Sequence, residues 1–420
     1  MSTNTKFFGN RVAIATFIIL FMNMGILGTI GIYLPEMMRD CNLTSTQTSF
    51  NIFFATGGAF LSSFTVPWFI KKMGVKGTLL LWSLMNTAHY ILYALASDIT
   101  LVWGGGFMGG FSMGLCGMAM GSIVIGEWFI DKRREMIGWA LSAAALGNAA
   151  LVWVSGQLIE MVGWRMSYYI TAGLQVVIVV PLILFFIKIP SAMGQKPLGW
   201  ERQEELVKKS ADLNGVKRES ALRTPAFWIL FIGIVCVGQA ICAYKTYMSQ
   251  YWQFYGMERL AASNYQALWL LFGTVGIIIG GKMAEKRGNK TFITYTLIAY
   301  IAAMILTLYN STSLNGGIMI LLLVLMGLAY PLYSSVPGTL TTQAFGNLDY
   351  SRILVMFQAA FYLGFASSPI IAIIKDANND WAPGYYVLLS TAIVGLILIN
   401  IGIRIAPIAK LAKRLDVDIK

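Results

Sequence analysis

Long apolar segments recur along this chain, and they constrain its fold more than any other feature. A helix needs about 20 apolar residues to cross the hydrocarbon core of a bilayer. Twelve segments come close to or exceed that length: Val12–Tyr33, Gln47–Ile70, Gly77–Ala96, Leu101–Gly126, Met136–Leu158, Met166–Ile187, Pro225–Tyr247, Ala262–Gly281, Thr291–Leu308, Gly316–Leu340, Ile353–Ile374 and Gly384–Ile405. Charged residues make up only 12% of the chain, about half the share usual in a soluble domain. The sequence therefore predicts an all-α membrane protein with twelve transmembrane helices, which we number spans 1 to 12.

Basic residues fall mainly on one side of these spans. With both termini on that side, 26 of the 31 Lys and Arg residues lie in the termini, the central segment and the loops after even-numbered spans. Four lie in the opposite loops, and Lys245 lies within span 7. Such an excess marks the cytoplasmic side of a membrane protein. We therefore expect cytoplasmic termini and a location in the inner or plasma membrane. The net charge of +12 then reflects topology and implies no nucleic-acid partner.

The two halves of the chain resemble each other. The basic loop at 67–76 recurs at 281–290, Trp164 before span 6 recurs as Trp381 before span 12, and Gly147 recurs as Gly364. This spacing indicates a duplication of a six-helix unit. We expect an N-terminal six-helix bundle over 1–188, a cytoplasmic linker over 189–222 and a C-terminal six-helix bundle over 223–420. Transporters built from such repeats bind their solute between the repeats, near the bilayer midplane.

The loop between spans 8 and 9 carries a recognisable motif. It has Gly281, Glu285, Lys286, Gly288 and Lys290 at the positions of the G-x-x-x-[DE]-[RK]-x-G-x-[RK] signature, and in this the chain resembles the major facilitator superfamily. In the equivalent loop between spans 2 and 3, Pro67 replaces the first glycine and Lys71 the acidic residue. The resemblance implies two six-helix pseudo-repeat bundles and a gating role for the intact loop.

Two further segments resemble the monocarboxylate and oxalate/formate porter group. Residues 128–134 read Trp-Phe-Ile-Asp-Lys-Arg-Arg and are similar to the junction of spans 4 and 5 in that group. Residues 222–228 read Leu-Arg-Thr-Pro-Ala-Phe-Trp and are similar to the start of span 7. Pro225 fits there as a first helical residue, since its missing N–H would be unpaired at that position.

The chain departs from the best-known patterns of the superfamily at several positions. Oxalate-type members carry basic residues in spans 8 and 11, whereas the corresponding positions here, near Ile277 and near Phe361, lack both charges. A dicarboxylate would lack its counter-ions, so oxalate is not predicted. Gly147 is followed by Asn148, whereas the drug/proton antiporter signature needs a Gly-Pro pair. The position of the span 4 arginine found in many proton-coupled members is occupied by Gly105.

Titratable side chains are scarce within the spans. The acidic residues all lie in loops or near span ends, so a cationic substrate would find no buried carboxylate, and the solute is predicted to be neutral or anionic. Lys245 is a candidate counter-charge for an anion because an intramembrane charge is a functional-site hypothesis by default. Its other interpretation is a lysine that extends to the outer interface. His89, in span 3, is either a packed, hydrogen-bonded histidine or a proton-responsive group.

Uncharged polar residues near the span midpoints complete the predicted site. We expect substrate-binding roles for Asn23, Asn148, Gln239, Lys245, Tyr330, Tyr333, Gln358 and Tyr362. The alternative is hydrogen bonding between helices, which also stabilises side-chain amides in a bilayer. The glycines of span 4, among them Gly109, indicate close helix packing or a flexible wall of the substrate cavity.

These observations favour a transporter over other classes of membrane protein. The sequence has no catalytic cluster, and no cofactor or metal is expected. We predict a monomeric secondary active transporter or exchanger of a small organic anion, similar to a monocarboxylate, that works by alternating access. The alternative is a carrier of a neutral amphipathic solute, such as a drug-like efflux transporter. A membrane receptor or a membrane-embedded enzyme is a third and remote alternative.

Overall fold

A computed structural model of the chain describes residues 7–116, 118–130, 133–202, 215–334, 336–346 and 348–408. These residues are almost entirely helical. The helices are α1 (Gly9–Asp40), α2 (Ser45–Ala94), α3 (Ile99–Leu115), α4 (Met118–Trp128), α5 (Arg133–Val162), α6 (Trp164–Leu174), α7 (Val180–Phe186), α8 (Arg218–Leu222), α9 (Pro225–Phe254), α10 (Arg259–Arg287), α11 (Asn289–Asn310), α12 (Gly316–Ala329), α13 (Pro331–Ser334), α14 (Val336–Phe345), α15 (Tyr350–Ala366), α16 (Pro369–Asn378) and α17 (Ala382–Ile405). The residues described form no β-sheet, only two isolated bridges.

Several of these helices have the length and apolar character needed to cross a membrane. Eight such stretches occur among the described residues, from Met136–Val162 in the first half to Ala382–Ile405 at the end, and Gly9–Asn23 and Ile99–Leu115 are shorter apolar helices. α9 begins at Pro225, with the Thr224 hydroxyl accepting a hydrogen bond from the Phe227 N–H. This confirms the helix start predicted from the sequence.

Some spans are interrupted at residues that disfavour a continuous helix. Spans 2 and 3 form the single element α2, but Gly74 within it has φ 71° and ψ 174°, so the chain turns there. Span 10 is interrupted after α12, and α13 begins at Pro331, whose ring disfavours a continuous helix. Span 11 is divided into α15 and α16, and α16 begins at Pro369 for the same reason.

The helix of span 6 contains a local widening. Residues Gln175–Val179 form a π-helical turn between α6 and α7. A π-turn inserts one extra residue into a helix, and such turns often mark functional positions. Pro181 follows it closely, and the missing N–H of this proline leaves the Val177 carbonyl inside the turn without its helical donor.

The described residues group into two compact units. The first consists of the residues before Met37 and those from Gly57 to the gap at 203–214. The second consists of Met37–Thr56 and the residues after that gap. The beginning of span 2 therefore packs with the C-terminal residues, although it belongs to the N-terminal half of the sequence.

Each unit contains close helix crossings at glycines. In the first unit, a Cβ atom at Gly147 of α5 would overlap the backbone carbonyl of Phe21 in α1. In the second, a Cβ at Gly364 of α15 would overlap the carbonyl of Val235 in α9. The glycines that suggested a duplication thus allow equivalent helix pairs to approach closely inside each unit.

The residues on each side of the gap at 203–214 are hydrogen-bonded within their own unit. In the first unit, the Ile130 N–H donates to the Leu198 carbonyl at 2.9 Å, and the Trp128 indole donates to the Lys188 carbonyl at 2.7 Å. In the second, the Val216 N–H donates to the Phe345 carbonyl at 2.9 Å.

Candidate functional site

Lys245 is buried within the second unit. It lies about 30 Å along α9 from Pro225, at 1.5 Å per residue, and it is 5% exposed. Side chains on a helix lean towards its N-terminus, which for α9 is the inner end by the predicted topology. The ammonium lies 4.4 Å from the centre of the Tyr333 ring, on α13. A desolvated cation–π contact of this kind contributes about 2 kcal/mol.

Aromatic rings from three other helices continue the cluster around this lysine. The ring of Tyr330 is 5.7 Å from that of Tyr333 and 5.9 Å from that of Trp269 in α10. Phe361 of α15 meets Tyr333 edge-on at 5.9 Å, with an interplanar angle of 76°. We call Lys245, Trp269, Tyr330, Tyr333 and Phe361 the lysine–aromatic cluster.

Sequence reasoning found only part of this cluster. Lys245, Tyr330 and Tyr333 were predicted and are brought together. Trp269 and Phe361 were not predicted as binding residues, because an aromatic residue in an apolar span is usually part of the core. The one available signal was the absence of a basic residue near Phe361, where oxalate-type members of the superfamily carry one.

Asn23 makes a hydrogen bond between helices. It is 2% exposed, and its amide nitrogen donates to the backbone carbonyl of Cys116. Cys116 is where α3 ends, and the last carbonyls of a helix have no intrahelical partner. In this structure, therefore, Asn23 satisfies a carbonyl at the end of α3.

The remaining predicted site residues, which are three amides and Tyr362, occupy different environments. The Asn148 amide is buried and donates to the Ala144 carbonyl one turn earlier in α5, at 2.8 Å. Gln239 in α9 and Tyr362 in α15 are half-buried, and Gln358 in α15 is exposed. Asn23 and Asn148 belong to the first unit, whereas the other three belong to the second.

His89 lies between two helices of the first unit. Its Nδ1 is 2.7 Å from the Gly105 carbonyl of α3, so that nitrogen carries the proton in this contact. The imidazole also packs 4.3 Å from the Tyr93 ring, and a Cβ at Gly109 would overlap it. Gly109 thus makes room for His89, which agrees with the packing interpretation of these two residues.

The loop signature forms the turn between α10 and α11. Glu285 and Lys286 lie in the last turn of α10, Gly281 lies one turn earlier, and Lys290 lies in the first turn of α11. Gly288 between these helices has φ 83° and ψ 156°, close to the values of Gly74 in the first unit. In the junction resembling the monocarboxylate group, Asp131 and Lys132 lie outside the described residues.

The first unit also encloses a small cavity. It lies between α1, α2, α5 and α6 and is lined by apolar side chains and by the hydroxyl groups of Thr29, Tyr33, Tyr90, Ser155, Tyr168 and Thr171. Tyr33 and Ser167 are hydrogen-bonded at 2.6 Å, and the rings of Tyr33 and Tyr168 stack with centres 4.0 Å apart. The described residues that line this cavity carry no formal charge.

Residues 16–369 of the chain match the family model of the Major Facilitator Superfamily. Among curated proteins, the cis,cis-muconate transport protein of Acinetobacter baylyi is 25% identical over 332 residues, which is 74% of this chain and 76% of that protein. An MFS-type transporter of Aspergillus niger, pynF, is 20% identical over 66% of this chain and 60% of its own length.

Solved transporter structures have the same fold. The nucleoside transporter NupG superimposes with a TM-score of 0.70 at 13% identity, over 95% of this chain and 98% of that one. The peptide transporter POT gives 0.72 at 16% identity, over 94% of each chain. The predicted all-α major facilitator fold is therefore confirmed, and a transporter rather than an enzyme is indicated. The chain belongs to the Major Facilitator Superfamily.

Proposed function

We propose that this chain carries a small organic anion, similar to a monocarboxylate, across the cell membrane as a secondary active transporter or exchanger. The observation that carries the proposal is the buried ammonium of Lys245. A charge held away from water is costly, and intramembrane charges mark substrate or ion pathways. An anion in contact with Lys245 would offset part of that cost.

Two further observations support an anion over a cation. The described acidic residues lie near helix ends or in loops, as in the Asp98 cap of α3 and Glu258 before α10, and the buried Glu36 lies four residues before the end of α1. None of them lies in the middle of a span beside Lys245, so a cationic solute at that depth would lack a carboxylate partner. One relative is named for transport of cis,cis-muconate, which is an organic acid. We also propose that the chain is most similar to the monocarboxylate porters, that it acts as a monomer and that both of its termini are cytoplasmic.

Removal of the charge at Lys245 tests the proposal. In purified protein reconstituted into vesicles, Lys245→Gln should lower carboxylate uptake about tenfold or more, because a hydrogen bond to a charged group contributes about 1.5–3 kcal/mol. Lys245→Arg should keep part of the activity, since it retains the charge. The measurement is initial uptake of a panel of labelled monocarboxylates by the two variants and the unchanged protein.

A matched control separates charge from folding. Lys196→Gln removes an exposed lysine and should leave uptake unchanged. Size-exclusion profiles of all variants report whether each is folded. Full carboxylate uptake by a folded Lys245→Gln protein would refute the anion proposal, and uptake of neutral amphipathic solutes by that variant would favour the alternative carrier.

A further inference from the structure

The surroundings of Lys245 narrow the class of anion, and this inference rests on the proposed function. We propose that the preferred substrate is a singly charged carboxylate with a flat, unsaturated or aromatic body. Its carboxylate would contact Lys245 and the indole N–H of Trp269, and its body would pack against the rings of Tyr330 and Tyr333.

The first support is the composition of the lysine–aromatic cluster. Four rings from α10, α12–α13 and α15 follow one another at centre distances of 5.7 to 5.9 Å. Tyr333, with Lys245 over one face, is half-buried, whereas Trp269 and Tyr330 are 1% and 2% exposed. Aromatic pairs at such distances are stabilised beyond their area burial by edge-to-face and offset contacts. A planar π-system can make these contacts, and a saturated body of equal size cannot.

The second support is the number of charges. Among the described residues of the second unit, Lys245 is the basic side chain that lies in a span away from helix ends. Phe361 of α15 packs edge-on against Tyr333 and adds an aromatic ring, not a second cation, to the cluster. A second carboxylate would therefore lack a counter-ion there, which favours a monoanion over a dianion.

The third support is an unpaired donor within the cluster. The indole nitrogen of Trp269 is buried and has no hydrogen-bond partner among the described residues. An indole N–H can only donate, and a buried donor without an acceptor is costly. A carboxylate has two oxygens, and in the proposed complex one faces the lysine while the other accepts from Trp269.

Binding measurements on the purified, full-length protein test these features separately. Benzoate and cyclohexanecarboxylate carry the same charge and similar volume, and only benzoate is flat. We expect benzoate to bind about threefold to tenfold more tightly, the size of one or two aromatic contacts. Benzamide removes the charge and should not bind measurably. The dianions terephthalate and cis,cis-muconate should bind more weakly than benzoate.

Two substitutions assign the effect to named rings. Tyr333→Leu should reduce the preference for benzoate over cyclohexanecarboxylate towards unity. Trp269→Phe keeps a ring but removes the N–H, so it should weaken both carboxylates by a similar factor and preserve the preference. Trp252→Phe is the matched control, because Trp252 is also buried with an unpaired indole nitrogen but packs against Tyr251 and Tyr265. It should leave both affinities unchanged.

The outcomes distinguish this inference from the proposed function. If none of the carboxylates binds, or if benzamide binds as tightly as benzoate, the anion transporter itself is refuted. If benzoate and cyclohexanecarboxylate bind equally, or the dianions bind more tightly, the anion transporter stands and the flat monoanion is wrong. Equal losses in Trp269→Phe and Trp252→Phe would remove Trp269 from the site.

Discussion

Single glycines determine how closely helices approach in this protein, and their effects are opposite at different positions. Gly147 is buried in α5, where a Cβ atom would overlap the backbone carbonyl of Phe21. At Gly104 in α3, a Cβ atom would point into open space. Membrane helices associate largely through such close packing, since lipid supplies no hydrophobic force between them. The same substitution should therefore change stability in opposite directions at the two sites.

We expect Gly147→Ala to destabilise the protein by about 1–3 kcal/mol, the usual cost of an extra methyl in a packed interior. Gly104→Ala should be neutral or stabilising by up to about 1 kcal/mol, because alanine is the better helix former. Thermal unfolding of the two purified variants in the same detergent measures the difference. Equal melting temperatures would show that the α1–α5 crossing does not limit stability.

The residues of the lysine–aromatic cluster show what could be learned from the sequence at this scale. Lys245 could be predicted because a charge in an apolar span is conspicuous whatever the fold. Trp269 could not, since its unpaired nitrogen becomes visible only when its neighbours are known. The partner of Asn23 was equally hidden, because the Cys116 carbonyl is left unpaired by a helix end within span 4.

At the scale of elements, a carboxylate in α16 holds the beginning of α2. Asp376 accepts hydrogen bonds from both the backbone N–H and the hydroxyl of Thr46, each at 2.7 Å, and Lys375 donates to its other oxygen at 3.2 Å. The first N–H groups of a helix lack partners within it, and a negative charge there also interacts favourably with the helix dipole. Asp376 therefore caps α2 from a distant part of the sequence and explains why Met37–Thr56 group with the second unit.

Asp376→Ala should loosen the first turn of α2. We expect faster hydrogen–deuterium exchange in a peptide covering residues 45–50 and a lower melting temperature, with exchange elsewhere in α2 unchanged. Asp376→Asn should give an exchange rate between those of the unchanged protein and Asp376→Ala, because its amide oxygen can still accept a hydrogen bond from Thr46. Glu258→Ala is a suitable control, since Glu258 precedes α10 without making a side-chain cap. Unchanged exchange at 45–50 in Asp376→Ala would contradict the capping role.

The sequence predicted the existence of the spans better than their internal breaks. Composition over 20 residues identifies a span because the bilayer imposes a length. The breaks depend on local conformation. Pro331 and Pro369 lie at two of them, and Pro181 follows the π-turn at Gln175–Val179, but a proline alone does not determine whether a helix bends, breaks or widens. The sequence of span 2 also gave no indication that its first residues pack with C-terminal residues. That packing involves contacts between distant parts of the chain, such as the one between Thr46 and Asp376.

At the scale of the whole molecule, the two halves repeat contacts as well as sequence. Tyr33 stacks on Tyr168 with ring centres 4.0 Å apart, and Tyr251 stacks on Tyr385 at 3.9 Å. The helix crossings repeat in the same way: a Cβ at Gly58 would overlap the Phe107 carbonyl, and one at Gly276 would overlap the Gly327 carbonyl. The turns at Gly74 and Gly288 share one backbone conformation. The duplication inferred from three short sequence matches is thus also visible in equivalent side-chain and helix contacts inside each unit.

A duplicated six-span unit has a consequence for topology. Each half crosses the membrane an even number of times, so the chain returns to its starting side after the first half and again at its end. The 26 basic residues counted on that side predict that it is cytoplasmic, because Lys and Arg near span ends resist translocation. The central segment, with its attachments at Trp128 and Phe345, should lie on the same side.

Reporter fusions in a bacterial host test this arrangement. Green fluorescent protein fused after the C-terminal Lys420 should fluoresce, and alkaline phosphatase at the same position should be inactive, because each reporter folds on only one side of the inner membrane. Fusions after Ser313, in the turn between α11 and α12, should give the reverse pattern. An active phosphatase at Lys420 would place the C-terminus outside, and the basic loops would then need an explanation other than topology, such as an anionic ligand on the outer surface.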